Sequence, residues 1–385
     1  VTARARLVAA GFALTALTYG LARFAYGLLL PDIRAELGLS AQAAGSIGGL
    51  AFAAYCLGVL AAFYLRACLS DRSIAISAAL IGCAGLAGTG LAYGVPTLGL
   101  STVLCGLSTG LTSPALASLV GQLVAAPERT RSNGAINAGT AAGIILSAAS
   151  ASLLADSWRI LYAFYAALGA AVTLWLKIAI PDSRAERPGV GPPALSRPPA
   201  AALLPLCASA FLMGCGSTAI WTFGASILRE AAGLSDGRIA LAWGTLGLAG
   251  LFGAAAGALT DRFGIAPVHR AALAIMAAGI AALNLVPGLP GLDLIIMGAF
   301  GLAYILSSGS LLLWGIALFQ QRPDHGLGIA FLAIALGQAV GAPLFGILSQ
   351  TSGRPAALLC AAGLMIIAMA WRVPLARPGP PASLS

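Results

Sequence analysis

The sequence predicts an all-α membrane protein of twelve transmembrane helices built as two six-helix pseudo-repeats, and three observations carry that prediction. Hydrophobic residues make up 59% and charged residues 9% of the 385, and the mean hydropathy is +0.94, so too little polar surface remains for a water-soluble globule of this size. Charge-free apolar runs recur along the whole chain. Most approach the ~18 residues or more that cross a hydrocarbon core of roughly 30 Å at about 1.5 Å per residue. Short sequence elements recur at matching places in the two halves, as set out below. A chain with 49 Gly and only 7% aromatic residues fits closely packed helices better than a β-barrel, whose strands alternate in polarity over about 10 residues.

Breaks in the apolar runs place the first six helices near 7–30, 44–65, 73–93, 98–123, 134–155 and 160–180. The second six fall near 202–228, 239–259, 268–287, 292–319, 327–349 and 355–371. Between the sets, Pro181-Asp182-Ser183-Arg184 runs on through Pro188, Pro192, Pro193, Pro198 and Pro199, a polar stretch that can neither continue a helix nor enter lipid. The expected organisation is therefore a bundle at 1–180, a cytoplasmic linker at 181–199, and a second bundle at 200–385 that ends in a short cytoplasmic tail. The first helix is followed by Asp32-Ile33-Arg34-Ala35-Glu36 rather than a small-residue cleavage site, which argues against a removable signal peptide.

The net charge of +9 reflects topology rather than nucleic-acid binding. With the N-terminus inside, the inner segments hold Arg4, Arg6, Arg66, Arg72, Arg129, Arg131, Lys177, Arg262, Arg270 and Arg322, plus the arginines of the linker and tail. The outer loops hold only Arg34, Arg159, Arg229, Arg238 and Arg354. This bias places both termini in the cytoplasm and the chain in a bacterial cytoplasmic membrane. The seven cysteines lack paired metal spacing and read as small buried hydrophobes. Neither a metal nor a cofactor is expected.

The repeat is most visible where Gly38-Leu39-Ser40 and Gly233-Leu234-Ser235 each separate the first and second helices of a half, with Gly58 and Gly253 keeping the same offset. Further on, Ser70-Asp71-Arg72 answers to Thr260-Asp261-Arg262. Two copies in the same orientation form a parallel repeat, with a solute site at their interface near the midplane.

On these residues the chain resembles the major facilitator superfamily along nearly its whole length. The most specific motif is Gly257-x-x-x-Asp261-Arg262-x-Gly264, in the loop between helices 8 and 9. The resemblance implies a cytoplasmic gate there, made and broken as the halves rock. The first-half copy, Asp71-Arg72, has Ala67 and Ile74 at the glycine positions, which weakens the same inference for it. Tyr26-x-x-x-x-Pro31 closes helix 1 in this reading, Trp158-Arg159 opens helix 6, and Gly337-Gln338-x-x-Gly341-x-Pro343 lies in helix 11. The run from Arg23 to Tyr26, with Leu29-Leu30-Pro31, is similar to the YbfB-like branch of bacterial permeases. Two departures count against drug/proton antiport: Thr102 stands where many proton-coupled members carry arginine, and Ile144 stands where the antiporter motif needs proline. No carboxylate lies well inside a span.

The strongest candidate for solute contact is Arg23, about 12 Å below Pro31 along a helix axis. A cation that deep faces a cavity or a partner. At helical spacing Thr15, Tyr19, Arg23 and Tyr26 share a face, and a guanidinium between phenols suits a carboxylate; a packing role against Gln338 is the structural alternative. Thr218, Trp221, Thr222, Asn137 and Gln338 are candidates for the facing wall. The expected activity is secondary transport of a small solute, an organic anion in this reading, by a monomer in the lipid bilayer. Efflux of amphipathic compounds is the alternative.

An intramembrane enzyme is disfavoured. Gly106-Leu107-Ser108-Thr109-Gly110 matches a nucleophile pattern that needs a strand-to-helix elbow and a nearby histidine, and His269 and His325 are assigned to cytoplasmic loops or their edges. A non-transporting receptor would need a larger soluble domain than the linker offers.

Overall fold

The computed structural model describes residues 3–153, 157–181, 200–319 and 323–371. The expected linker and C-terminal tail fall almost wholly outside these residues. We number the spans α1 (Arg4–Leu37), α2 (Ala41–Leu65), α3 (Asp71–Gly90), α4 (Val95–Leu123), α5 (Ala126–Leu153), α6 (Trp158–Ala179) and α7 (Ala200–Trp221). A short helix, Gly224–Ala232, continues α7 beyond a break. Then come α8 (Asp236–Phe252 and Ala256–Phe263, bent by 53°), α9 (Ile265–Gly288), α10 (Leu292–Leu318), α11 (His325–Thr351) and the shorter α12 (Arg354–Ala368). Ten of these are each long and apolar enough to cross a membrane, the bent pair forms an eleventh, and α12 completes the twelve.

One end of the bundle carries the start of α1 and the end of α12, and is called here the terminal end. The opposite, far end carries the α1–α2, α7–α8 and α11–α12 connections. Large apolar side chains such as Leu57, Tyr64, Leu100, Leu174, Phe252, Ile295 and Leu359 point outward around the bundle, which lipid solvates and water would not. The interior is closed mainly by small residues. A Cβ on Gly20 would overlap the Gly143 backbone, and one on Gly106 or Gly110 would strike α2 at Ala51 or Tyr55, so α1–α5 and α2–α4 pack backbone to backbone. Between the halves, α2 lies along α11 and α5 along α8.

One helix end departs from the sequence expectation. Pro31 does not close α1, which continues to Leu37 and ends at Gly38 in the left-handed conformation (φ 62°). Proline within a membrane helix is tolerated where neighbours bury the disturbed turn, and Leu29, Leu30, Pro31 and Ile33 are all buried. Gly233 ends the α7 extension in the same way (φ 61°), so the repeated glycine has one backbone function in both halves.

The middle of α1, from Ala16 to Phe24, is a π-helix. Its wider turns shift the face reckoned at 3.6 residues per turn. Tyr26 is consequently carried off the Tyr19–Arg23 face and donates its hydroxyl hydrogen to the Ala44 carbonyl of α2 at 3.0 Å.

Candidate functional site

Arg23 lies at the interface of the halves and is only partly buried. One guanidinium N–H donates to Gln338 Oε1 of α11 at 2.7 Å. Gln338, fully buried, passes the link on by donating to Tyr304 Oη of α10 at 3.2 Å and Ser217 Oγ of α7 at 3.4 Å. The guanidinium carbon sits 4.4 Å from the ring centre of Tyr55, 4.9 Å from Phe52, 5.3 Å from Phe24 and 5.7 Å from Tyr19. Such contacts stabilise a cation by about 0.5–2 kcal/mol each. None supplies a counter-charge: among the described residues Arg23 has no carboxylate partner, and its Nε hydrogen is buried without an acceptor.

The ring around this cation is held from behind. Tyr19 shares a hydrogen bond with Ser113 Oγ of α4 at 2.6 Å. Across the interface Phe24 stacks on Trp221 at 4.1 Å, and Trp221 meets Tyr304 edge-on at 5.1 Å and Phe300 at 5.8 Å. The structure therefore brings together Tyr19, Arg23, Trp221 and Gln338 of the residues chosen from sequence. Thr218 donates instead to the Cys215 carbonyl of its own helix at 2.7 Å. Thr222 is buried, and its methyl packs beside Gly48 of α2. Asn137 is exposed at the end of a short helix, Arg129–Asn137. It lies about 9 Å nearer the terminal end than Gly143, the residue that packs on Gly20.

Sequence reading missed Phe52, Tyr55, Ser113, Ser217 and Tyr304. Their signal was present as hydroxyl and aromatic groups inside apolar spans, but nothing in one sequence says which of them converge. Nor is His269 a loop residue: it is buried in α9, where Ser209 Oγ meets its Nε2 at 2.8 Å and Ser307 Oγ its Nδ1 at 2.9 Å. Its imidazole thus bridges α7 and α10.

The two loop motifs differ in construction. Asp71 Oδ1 pairs with Arg66 Nε at 2.8 Å, while Oδ2 accepts from Ser118 Oγ at 2.6 Å and Gln122 Nε2 at 2.7 Å. It thus ties α2, α3 and α4 within the first half, and Arg72 donates to the Lys177 carbonyl of α6. Asp71→Asn is expected to lower the melting temperature by an amount corresponding to about 2 kcal/mol, since it weakens charge-assisted hydrogen bonds and leaves Arg66 without a counter-charge, held only by the Pro114 carbonyl; an unchanged melt would rule out this tie.

In the second-half motif Asp261 and Arg262 are exposed, and Arg262 lies over Phe263 at 5.1 Å. A Cβ on Gly257 would meet nothing, whereas Gly264 has φ 86° and makes the turn into α9. Ile74 needs no such freedom, because Ser70 caps α3 by accepting from the Ser73 N–H at 3.1 Å.

At the far end the halves are tied by ion pairs. Arg229, beyond α7, pairs with Asp32 of α1 and with Asp236; Arg34 of α1 pairs with Glu230. Arg34 and Arg229 occupy corresponding places in the repeat, four residues before Gly38 and Gly233. Each reaches a carboxylate of the opposite half. Gly341 packs on Cys215 of α7, and Pro343 touches Gly49 of α2. At this end the interface is shut.

A family model described as Major Facilitator Superfamily matches residues 12–324. The chain belongs to the major facilitator superfamily. Solved members of similar shape include a D-xylose–proton symporter, with a TM-score of 0.78 at 17% identity over 96% of this chain and 97% of that one. A bacterial homologue of the human lysosomal transporter Spinster, solved inward-facing and occupied, gives 0.78 at 16% over 96% of each. The nucleoside transporter NupG gives 0.74 at 13% over 94% and 98%. At these identities the likeness is one of fold. A curated relative from Pseudomonas aeruginosa, named transcription regulatory protein OpdE, is 24% identical over 272 residues, 68% of this chain. The chain spans 66% of that relative's length. Family and fold make this superfamily member a multi-pass membrane protein with the fold of solved transporters.

Proposed function

We propose that the chain carries a small organic anion across the cytoplasmic membrane by alternating access, as a monomer with both termini in the cytoplasm. The observation that carries this reading is Arg23: a cation held between aromatic rings at the junction of the halves, hydrogen-bonded to the opposite half and lacking a carboxylate. A solute carboxylate supplies the missing charge and accepts the free Nε hydrogen, while the rings of Tyr55, Phe52 and Trp221 pack its carbon frame. Because Arg23 and Gln338 belong to different halves, a solute bound there is released as the halves rock.

In this reading the far end faces outside, and its closure leaves the solute path open to the cytoplasm. The linker at 181–199 joins the two bundles, and Asp71, Arg72, Asp261 and Arg262 bring the cytoplasmic ends together in the opposite state. The arginine bias toward the terminal end supports this orientation.

The test is a melting-temperature series of purified protein with organic anions, cations and neutral amphiphiles, run on wild type and Arg23→Gln. An organic anion near 100 times its central-site dissociation constant stabilises the wild type by about 2.7 kcal/mol more than the variant. Equal shifts in both proteins, or stabilisation by neutral amphiphiles alone, would reject the anion site and favour amphiphile efflux. A regulatory role of the kind named for the Pseudomonas aeruginosa relative predicts the same binding without flux in proteoliposomes.

A further inference from the structure

A cavity of about 360 Å³ lies at the far end between the halves, lined by Arg34 of α1, by Ser226 and Glu230 beyond the α7 break, by Ser349 and Gln350 at the end of α11, and by Arg354. Among the described residues the side chains of Ser226, Ser349, Gln350 and Arg354 make no hydrogen bond or ion pair. Ser226 is 2% exposed, and its hydroxyl makes no hydrogen bond, although a buried hydroxyl without a partner is costly. Arg354, only partly exposed, makes no hydrogen bond or ion pair among the described residues. It is the first residue of α12, whose N-terminal N–H groups add to the positive potential. The one acid in the lining, Glu230, is already engaged by Arg34, so Arg354 leaves the cavity with a net positive charge. An unpaired guanidinium, an unpaired hydroxyl and the amide of Gln350 around a space of this size match a small oxyanion.

We propose that this cavity is a second binding site, for a small carboxylate or phosphate, in which Arg354 and Ser226 hold the anion beside Arg34. Its walls come from both halves, so the anion binds only when the far end is shut and holds it shut by population shift. Arg34 stands about 16 Å along α1 from Arg23, which makes this site separate from the central one and independent of the reading given for it.

The experiment replaces chloride by inorganic phosphate at constant ionic strength and follows the melting temperature of purified full-length protein. Hydrogen exchange over 224–232 and 41–46 is followed in parallel. Wild type and Arg23→Gln are both expected to rise by a few degrees in a saturating manner, with slower exchange in these segments. Arg354→Gln is expected to lose the response and Ser226→Ala to need several-fold more anion. Absence of any response in wild type overturns the proposal, as does an equal response in all four proteins. A response lost in Arg23→Gln and kept in Arg354→Gln places the anion centrally and also overturns it. Binding that leaves exchange over both segments unchanged overturns the holding role.

Discussion

Gly341→Leu is expected to yield almost no folded protein, and Gly337→Leu to do the same. A Cβ at either position comes under 3.0 Å from the α7 backbone, at Cys215 for Gly341 and at Phe211 for Gly337. On the α7 side Gly214 stands equally close to the backbone at Ile334. The two helices therefore meet backbone to backbone along more than a turn, with no flexible side chain to move aside. Overpacking a rigid contact costs about 3 kcal/mol or more, and van der Waals contact is the main force joining helices in lipid. The crossing also seats Ser217 and Gln338, which together carry the hydrogen bond from Arg23. Detergent-extracted yield and melting temperature should fall together with solute binding. A variant that folds and melts as wild type would show that α7 and α11 can separate there, against the geometry described.

How much of this was legible in the sequence depended on the length scale of the signal. Twelve spans could be read because apolar length is a property of each segment alone, and Gly38 and Gly233 marked true helix ends because a left-handed residue is a local demand. The end assigned at Pro31 failed because a local rule, that proline stops a helix, gives way when neighbouring helices bury the turn. Tyr26 left the expected face because the α1 period is not 3.6 between Ala16 and Phe24. Arg23 and Gln338 stood out as polar groups in apolar surroundings, a signal a single sequence carries. Tyr55 and Tyr304 are largely apolar rings with a single hydroxyl, ordinary in a membrane span, and only packing of α2 and α10 reveals that they close on the same point. The loop motif weighted most heavily by resemblance, at Asp261, is exposed, whereas the degenerate copy at Asp71 has a full set of partners. The far-end ion pairs escaped notice because charges near span ends serve topology in most chains, and pairing between Asp32 and Arg229 requires the two halves to be docked.

Gly45→Val and Gly346→Val should separate folding from transport. A Cβ on Gly45 of α2 would fall on the Ala342 carbonyl of α11, and one on Gly346 of α11 would fall on the Ala41 carbonyl of α2. Unlike the α7–α11 crossing, both contacts join one half to the other, at the end sealed by Asp32–Arg229 and Arg34–Glu230. Each bundle keeps its own packing when these residues gain a side chain, so yield and melting temperature should stay near wild type. Closure of the far end, however, bears the whole overlap. A penalty of about 3 kcal/mol on one of two states shifts their ratio roughly 100-fold, leaving the protein open at that end. Arg229→Gln acts in the same direction more weakly, because partly exposed ion pairs contribute on the order of 1 kcal/mol or less. The expected readings are a large loss of proteoliposome flux, retained solute stabilisation through Arg23, and a longer distance between spin labels placed across the far end in a cysteine-free background. Normal flux with the short distance would mean that α2 and α11 need not approach this closely, and the ion pairs rather than the glycine contacts would then set the closed state.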